Sequence, residues 1–199
     1  MMEITQKDEV VISEIIAGAR NLFEKFGLKK TTMEDIAREV GKGKSSLYYY
    51  FQSKYEIFEA VIDQEARELF AQAERAIEEA GTAKGKLKAY SRIRLCNINK
   101  MGNLSQIVKD DLMDNISILF NIKRKHEITQ LAMVRKIIAE GVASGEFKQV
   151  EASDIDLLAF LFMAAFRGIA LPFCTDGSFP DLSQRVDTIV DVMVEGIGR

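Results

Sequence analysis

The sequence contains few of the residues that end helices, bind metals or react with substrates. Its 199 residues include two prolines, one histidine, two cysteines and no tryptophan. Because proline disrupts helix interiors, its scarcity favours a chain of long α-helices. Cys96 and Cys174 stand far apart, and His126 is the only histidine, so the clustered ligands of a zinc site are missing. Two free thiols are typical of a protein in the reducing cytosol.

The sequence also lacks a long uninterrupted apolar run. The longest comprises residues 157–166, between Asp156 and Arg167, and is too short to cross a bilayer as a helix. Residues 1–6 lead into charged residues instead of the apolar segment of a signal peptide. With 47% apolar and 29% charged residues, the chain can bury a core. We therefore expect a globular cytoplasmic protein with no membrane association.

Charge is distributed unevenly along the chain. The net charge is -3, but the segment from Arg20 to Lys54 carries eight basic and four acidic residues. This segment thus has a net charge of +4, which leaves -7 for the remainder. A basic segment on an acidic chain suits a protein with one end that faces a polyanion.

Apolar residues recur at helical spacing near the N-terminus and predict four helices there. The first has an apolar stripe from Ile12 to Phe26, directly before a glycine suited to a helix C-terminus. Two short helices and a long one follow. The predicted N-caps, with two alternatives for each short helix, are Thr31 or Thr32, Ser45 or Ser46, and Ser53.

Five further helices are predicted in the rest of the chain, which gives an all-α protein of about nine helices. No period-two strand pattern is present. We assign residues 1–55 to an N-terminal domain and residues 56–199 to a larger helical domain. The five helices are predicted at residues 83–100, 104–120, 122–144, 153–171 and 182–197, with Pro172 just beyond the fourth.

Two short helices joined by a glycine-containing turn are typical of a helix-turn-helix. In this motif the second helix enters the major groove of DNA, which is wide enough for one helix and displays the base edges. The turn comprises residues 41–46, and Gly43, Lys44 and Ser45 within it resemble the end of a phosphate-binding loop. That motif needs a glycine where Arg38 stands, and we exclude it.

Residues 15–57 resemble the DNA-binding domain of the TetR family of transcriptional regulators. For the remaining length the resemblance is one of architecture and implies a helical ligand-binding and dimerisation domain. The matching residues are Ala19, Leu22, Phe23, Gly27, Thr31, Thr32, Ile36, Ala37, Gly41, Leu47, Tyr48, Tyr49, Tyr50, Phe51, Ser53 and Lys54.

The resemblance implies roles for the polar residues of the motif. A hydroxyl at a helix N-terminus, a phenol and a lysine can contact phosphates, and the exposed face of the second helix can reach base edges. Leu47 and Phe51 should be buried. For the turn lysines, a solvated turn is the alternative. The predicted DNA-contact residues are Thr32, Lys42, Lys44, Ser45, Ser46, Tyr48, Tyr49 and Lys54.

The larger domain is expected to bind an unidentified small-molecule effector. Methionine and phenylalanine line adaptable apolar pockets, although for any single one of them a place in the core is the favoured alternative. Arg94 and Arg167 stand in apolar helices, where either could meet an anionic ligand or form a surface ion pair. The candidate pocket residues are Arg94, Met113, Phe120, Met133, Phe162 and Phe166.

The last two helices are predicted to form a homodimer interface. Ala164, Ala165, Gly168 and Gly196 would permit close approach of two chains. A two-fold pair of recognition helices would bind a palindromic site in double-stranded DNA. By resemblance, the effector would release a repressor from this operator by favouring a different separation of the two DNA-binding heads.

Two other functions compete with a regulator. An enzyme is disfavoured because no Ser/His/Asp, Cys/His or metal-ligand constellation is apparent, and no cofactor is expected. A helical interaction protein with a degenerate helix-turn-helix is the second alternative, and the presence of both Tyr48 and Lys54 argues against it. The basic residues near His126 are assigned to a solvated helix face.

Overall fold

The computed structural model describes residues 5–95, 116–176 and 182–195, and within these ranges it contains eight α-helices. The all-α prediction is confirmed, with eight helices in place of about nine. None of the described helices is both long and apolar enough to cross a membrane. The helices are α1 (Gln6–Lys30), α2 (Met33–Glu39), α3 (Lys44–Tyr50), α4 (Lys54–Glu78), α5 (residues 83–95), α6 (Ile116–Ala143), α7 (Ala152–Asp176) and α8 (Val186–Glu195), with a 3-10 turn at Leu182–Gln184 before α8.

The chain divides into two compact units, and the division falls inside α4 after Arg67. The first unit contains α1, α2, α3 and the start of α4, together with the beginning of α6. The second contains the end of α4, α5, most of α6, α7 and α8. Each unit has its own buried apolar cluster.

The buried core of the first unit packs against the inner face of α3. Phe23 of α1 and Phe58 of α4 meet edge to face, with ring centroids 5.6 Å apart. Leu47 of α3 is fully buried in this cluster and Phe51 nearly so, as expected from the sequence. Burial of a leucine-sized side chain contributes about 2 kcal/mol. These two side chains therefore fix which face of α3 points outward.

A kink at Gly27 ends the regular part of α1. Its φ of 84° lies in the left-handed region, which glycine adopts without steric cost. This conformation agrees with the helix end predicted there. Four residues later, the buried hydroxyl of Thr31 donates a 2.7 Å hydrogen bond to the carbonyl of Gly27.

Side-chain caps begin two of the next three helices. Thr32, not Thr31, caps α2, because its hydroxyl accepts the backbone N–H of Asp35 at 3.2 Å. Ser53 likewise accepts the backbone N–H of Glu56 at the start of α4. The prediction that Ser45 or Ser46 caps α3 is wrong. Gly43 holds the cap position without any side-chain bond, so both serines lie inside the helix.

The second unit is held by an apolar core and by ion pairs between α5 and α8. Lys84 and Lys88 both bind Asp191, and Nε of Arg92 lies 2.7 Å from Asp187. Successive residues of α5 thus pair with preceding residues of α8, so the two helices run antiparallel. The N-terminus of α5 is capped by Glu146, whose carboxylate accepts the backbone N–H groups of residues 83 and 84.

Three predicted helix ends differ from the structure. The break placed between residues 120 and 122 is wrong, because α6 runs without interruption from Ile116 to Ala143. Residues 116–125 contain neither glycine nor proline, the two residues that are strongly unfavourable inside a helix. The end at residue 171 is also wrong, since α7 continues past Pro172 to Asp176. The last helix begins at Val186, after the 3-10 turn, and residues 196–199 lie outside the described residues.

Candidate nucleic-acid interface

The recognition helix α3 presents polar and aromatic side chains to solvent. Leu47 is its only fully buried residue. Tyr48 and Tyr49 are 40% and 58% exposed, which is unusual for aromatic side chains. Lys44, Ser45 and Ser46 are exposed as well. Five of the predicted DNA-contact residues therefore lie together on the outward side of a short helix.

Lys44 lies between an acidic and an aromatic neighbour. Its ammonium forms an ion pair with Glu34 of α2 and lies 5.8 Å from the centre of the Tyr48 ring. The hydrogen bond to Glu34 raises the pKa of Lys44, and the same bond lowers the pKa of Glu34. An exposed pair of this kind is weak and exchanges readily for another anion. Lys44 is thus charged and available to a phosphate or a base edge.

Lys42, in the turn before α3, contacts α1. Its ammonium lies 2.9 Å from a carboxylate oxygen of Glu14, and the side chain is more buried than that of Lys44. The structure therefore separates the two turn lysines. Lys44 stands on the exposed side of α3, whereas Lys42 contributes to the packing of the turn against α1.

Thr32 lies at the exposed N-terminus of α2 with its side chain already bonded. Its hydroxyl donates to Asp35 at 2.6 Å and accepts the backbone N–H of the same residue. The Thr32 hydroxyl, and after it the Thr32 backbone N–H, donate to the Asp35 carboxylate and lower its pKa. A phosphate at this end would meet the positive end of the helix dipole but also the Asp35 carboxylate.

The hydrogen bonds of the Lys54 ammonium could not be predicted from the sequence. Its ammonium donates to the carbonyl oxygens of Leu28, Lys29 and Thr31 at 2.7, 3.0 and 3.0 Å. Three acceptors match the three donors of an ammonium group. Lys54 thus caps the last turn of α1, where backbone carbonyls lack helical partners. The phosphate contact predicted from the sequence is not tested by this geometry, and the ammonium would have to leave these carbonyls to make it.

Tyr50 connects α3 to the first turn of α1. Its hydroxyl donates a 2.8 Å hydrogen bond to Asp8, and its ring meets that of Tyr49 edge to face at 4.8 Å. The sequence offered no signal for Asp8, which is 42 residues away along the chain. Glu34, the partner of Lys44, was missed for the same reason.

The six candidate pocket residues have different surroundings. Phe162 and Phe166 are buried in the core of the second unit, and Met133 packs against that core. Arg94 is half-buried on α5. Phe120 lies in α6, in a stretch whose side chains are not described, and Met113 lies outside the described residues. Among the described residues, no cluster of metal-ligating side chains is present.

A short exposed helix held by two bracing helices, with a cationic and aromatic outer face, defines a helix-turn-helix DNA-binding protein. Residues 15–61 match the family model described as bacterial regulatory proteins, tetR family. This segment includes every predicted DNA-contact residue. This segment therefore has the DNA-binding domain of the TetR family of transcriptional regulators.

Relatives extend the similarity beyond this segment. The transcriptional repressor KstR2 of Mycolicibacterium smegmatis is 29% identical over 149 residues, which cover 73% of this chain and 70% of the relative. A transcriptional regulator from Cytophaga hutchinsonii has 28% identity and a TM-score of 0.70, covering 95% of this chain and 99% of that one. FadR from Bacillus subtilis, solved with stearoyl-CoA, has 22% identity and a TM-score of 0.73, covering 93% and 98%.

Proposed function

We propose that this protein is a homodimeric repressor that binds a palindromic operator through α3 and is released by a small-molecule effector. Residues 1–55 form the DNA-binding head, and residues 56–199 bind the effector and the second chain. Its site of action is the cytoplasm, where bacterial chromosomal DNA is located. Repression is the activity named for the relative KstR2.

The observation that carries the proposal is the outward face of α3. An exposed tyrosine leaves its apolar ring in contact with water. Two adjacent exposed tyrosines beside a lysine therefore favour a surface that another molecule covers when it binds. Lys44 provides the charge for a phosphate or a guanine, and Tyr48 provides a phenol hydroxyl for a phosphate. The further proposed DNA contacts are Thr32, Lys42, Ser45, Ser46 and Tyr49. Lys54 supports the end of α1.

Exposed apolar side chains on α7 support a homodimer. Leu157, Phe160, Leu161 and Ile169 are 54%, 55%, 51% and 36% exposed. The spacing of the first three places them on one side of the helix, whereas Ile169 lies nearer the opposite side from Phe160. Gly168 on the same helix has open space around it, so a second backbone can approach closely. Val192 of α8, 65% exposed, is a further candidate for the interface.

The experiment that tests the proposal is repeated selection of a randomised duplex library by the purified protein. We expect a palindromic site to be enriched, with two half-sites about one helical turn apart. A Lys44→Ala/Tyr48→Phe variant should bind the selected duplex at least about tenfold more weakly, since each good contact contributes about 1–3 kcal/mol.

Lys136→Ala is the matched control, because Lys136 is an exposed lysine on α6 of the second unit. It should bind the selected duplex as the unmodified protein does. Absence of any enriched duplex at low salt, where phosphate contacts are strongest, would contradict DNA binding and favour an interaction protein.

A further inference from the structure

We propose that Arg94, with Ser91 and Tyr90 beside it on α5, binds the anionic group of an effector whose remaining body is apolar. This inference rests on the proposed function, in which the second unit takes a small-molecule effector. It adds the chemical class of that effector and the residues that recognise its charge.

The three side chains are neighbours on one helix. Ser91 and Tyr90 precede Arg94 by three and four residues, the spacings at which side chains of a helix meet. Tyr90 and Ser91 are both 0% exposed. Polar groups that are fully buried normally make hydrogen bonds with nitrogen or oxygen partners.

In this cluster the expected partners are missing. Within the described part of the chain, the Ser91 hydroxyl and Nε of Arg94 are buried without any hydrogen-bond partner. Among the described residues, the Tyr90 hydroxyl bonds to the sulfur of Met163, a weak acceptor, at 3.3 Å. All three groups can donate a hydrogen bond, so the missing partner is an acceptor.

Charge gives the second argument. Burial raises the pKa of Tyr90, and the Arg94 and Arg167 guanidiniums act against this effect. The helical spacing places Arg94 beside Tyr90. Arg167 is paired with Glu127 of α6, whereas no described carboxylate pairs with Arg94. Arg94 is half-buried as a whole, but its buried Nε lacks an acceptor, which a bound anion would supply.

The surroundings indicate the rest of the ligand. Phe162, Met163 and Phe166 of α7 are buried on the side of α7 that carries the contact with Tyr90. An apolar body that carries one anionic group would match these apolar neighbours and the unbonded donors beside them. A carboxylate and the phosphates of a coenzyme A thioester share this chemistry, so both are tested.

The experiment measures binding of decanoate, decanoyl-CoA and uncharged decanol to the full chain without DNA, by calorimetry. We expect an anionic probe to bind and decanol to bind much more weakly. Arg94→Gln should lower the affinity for the anionic probe by about 10- to 100-fold, the range for loss of a charge-assisted hydrogen bond. Arg135→Gln is the matched control, because Arg135 is an exposed arginine that pairs with Asp156 on the surface.

Thermal unfolding without any probe separates binding from a structural role. Arg94→Gln should leave the melting temperature unchanged or raise it, because the removed charge has no partner. Equal binding of decanol and the anions, equal binding by Arg94→Gln, or no binding of either anion at millimolar concentration would overturn the inference. If an anion binds through Arg94 but leaves operator affinity unchanged, the site stands and the proposed effector response fails.

Discussion

The hydroxyl of Tyr50, the last residue of α3, donates a hydrogen bond to Asp8 in the first turn of α1. Asp8 also accepts the hydroxyl of Thr5 at 2.7 Å and its backbone N–H at 3.0 Å. These bonds lower the pKa of Asp8, the Thr5 hydroxyl most and Tyr50 less, below the ordinary value of 3.8. The start of α1 and the end of the recognition helix therefore share one ionised carboxylate.

Replacement of Tyr50 by phenylalanine should destabilise the first unit in a pH-dependent manner. A carboxyl whose folded pKa is lowered contributes stability above its unfolded pKa and loses it as the pH falls through the folded value. The difference in melting temperature between the two proteins should thus be full at neutral pH and shrink below about pH 4. Thermal melts from pH 7 to pH 3 measure it.

Tyr49→Phe provides the control, because the exposed Tyr49 hydroxyl has no hydrogen bond to a described residue. It should melt like the unmodified protein at every pH. A Tyr50→Phe difference that stays constant down to pH 3 would mean that the bond to Asp8 does not carry the effect.

Lys54→Met should show whether this lysine supports α1 or contacts DNA. The substitution keeps an apolar stem but leaves the carbonyls of Leu28, Lys29 and Thr31 without the ammonium. We expect a loss of about 1–3 kcal/mol in the free energy of unfolding, the range for unsatisfied polar groups. Operator affinity should also fall, because α2 begins directly after this turn.

The salt dependence of operator binding distinguishes the two roles of Lys54. Loss of a phosphate contact reduces the slope of log K against log salt by about 0.9. We expect the slope of Lys54→Met to match that of the unmodified protein and that of Lys136→Met, an exposed-lysine control. A reduced slope with unchanged stability would instead assign Lys54 to the phosphates.

Glu34→Gln should strengthen operator binding. Glu34 holds Lys44 in an exposed ion pair, so its carboxylate competes with DNA for the ammonium. We expect an affinity gain of about two- to fivefold at low salt, in keeping with the small strength of such pairs, and a smaller gain at high salt. Fluorescence anisotropy with the selected duplex measures both.

The exposed Glu74 on α4, in the second unit, is the matched position for this experiment. Glu74→Gln removes the same charge and should leave the affinity nearly unchanged. Weaker binding by Glu34→Gln would mean that Glu34 holds Lys44 in the orientation that DNA requires.

The helices of the first unit could be predicted from the sequence because their signals are local. A stripe of apolar residues, a glycine after it and a threonine three residues before an acidic side chain all act within one or two turns. The kink at Gly27, the cap at Thr32 and the burial of Leu47 follow from such signals.

The remaining features depend on contacts that no local pattern encodes. Asp8 meets Tyr50, and Lys54 meets the carbonyl of Leu28, only because the fold brings distant segments together. The break predicted between residues 120 and 122 is wrong because no glycine or proline stands there to interrupt a long helix. The partnerless donors near Arg94 likewise become visible only when every neighbouring atom is placed.

Leu161→Glu should dissociate the proposed homodimer. Leu161 is 51% exposed on α7 between Phe160 and Ala164, and a carboxylate there would be buried against its two-fold copy without a partner. Light scattering should report a fall from the mass of two chains to that of one, 22.4 kDa. Ile128→Glu, at a 64% exposed apolar position on α6, should leave the mass unchanged. The operator affinity of the Leu161→Glu variant should also fall, because a single chain binds each half-site independently. A Leu161→Glu protein that keeps the two-chain mass would place the interface elsewhere.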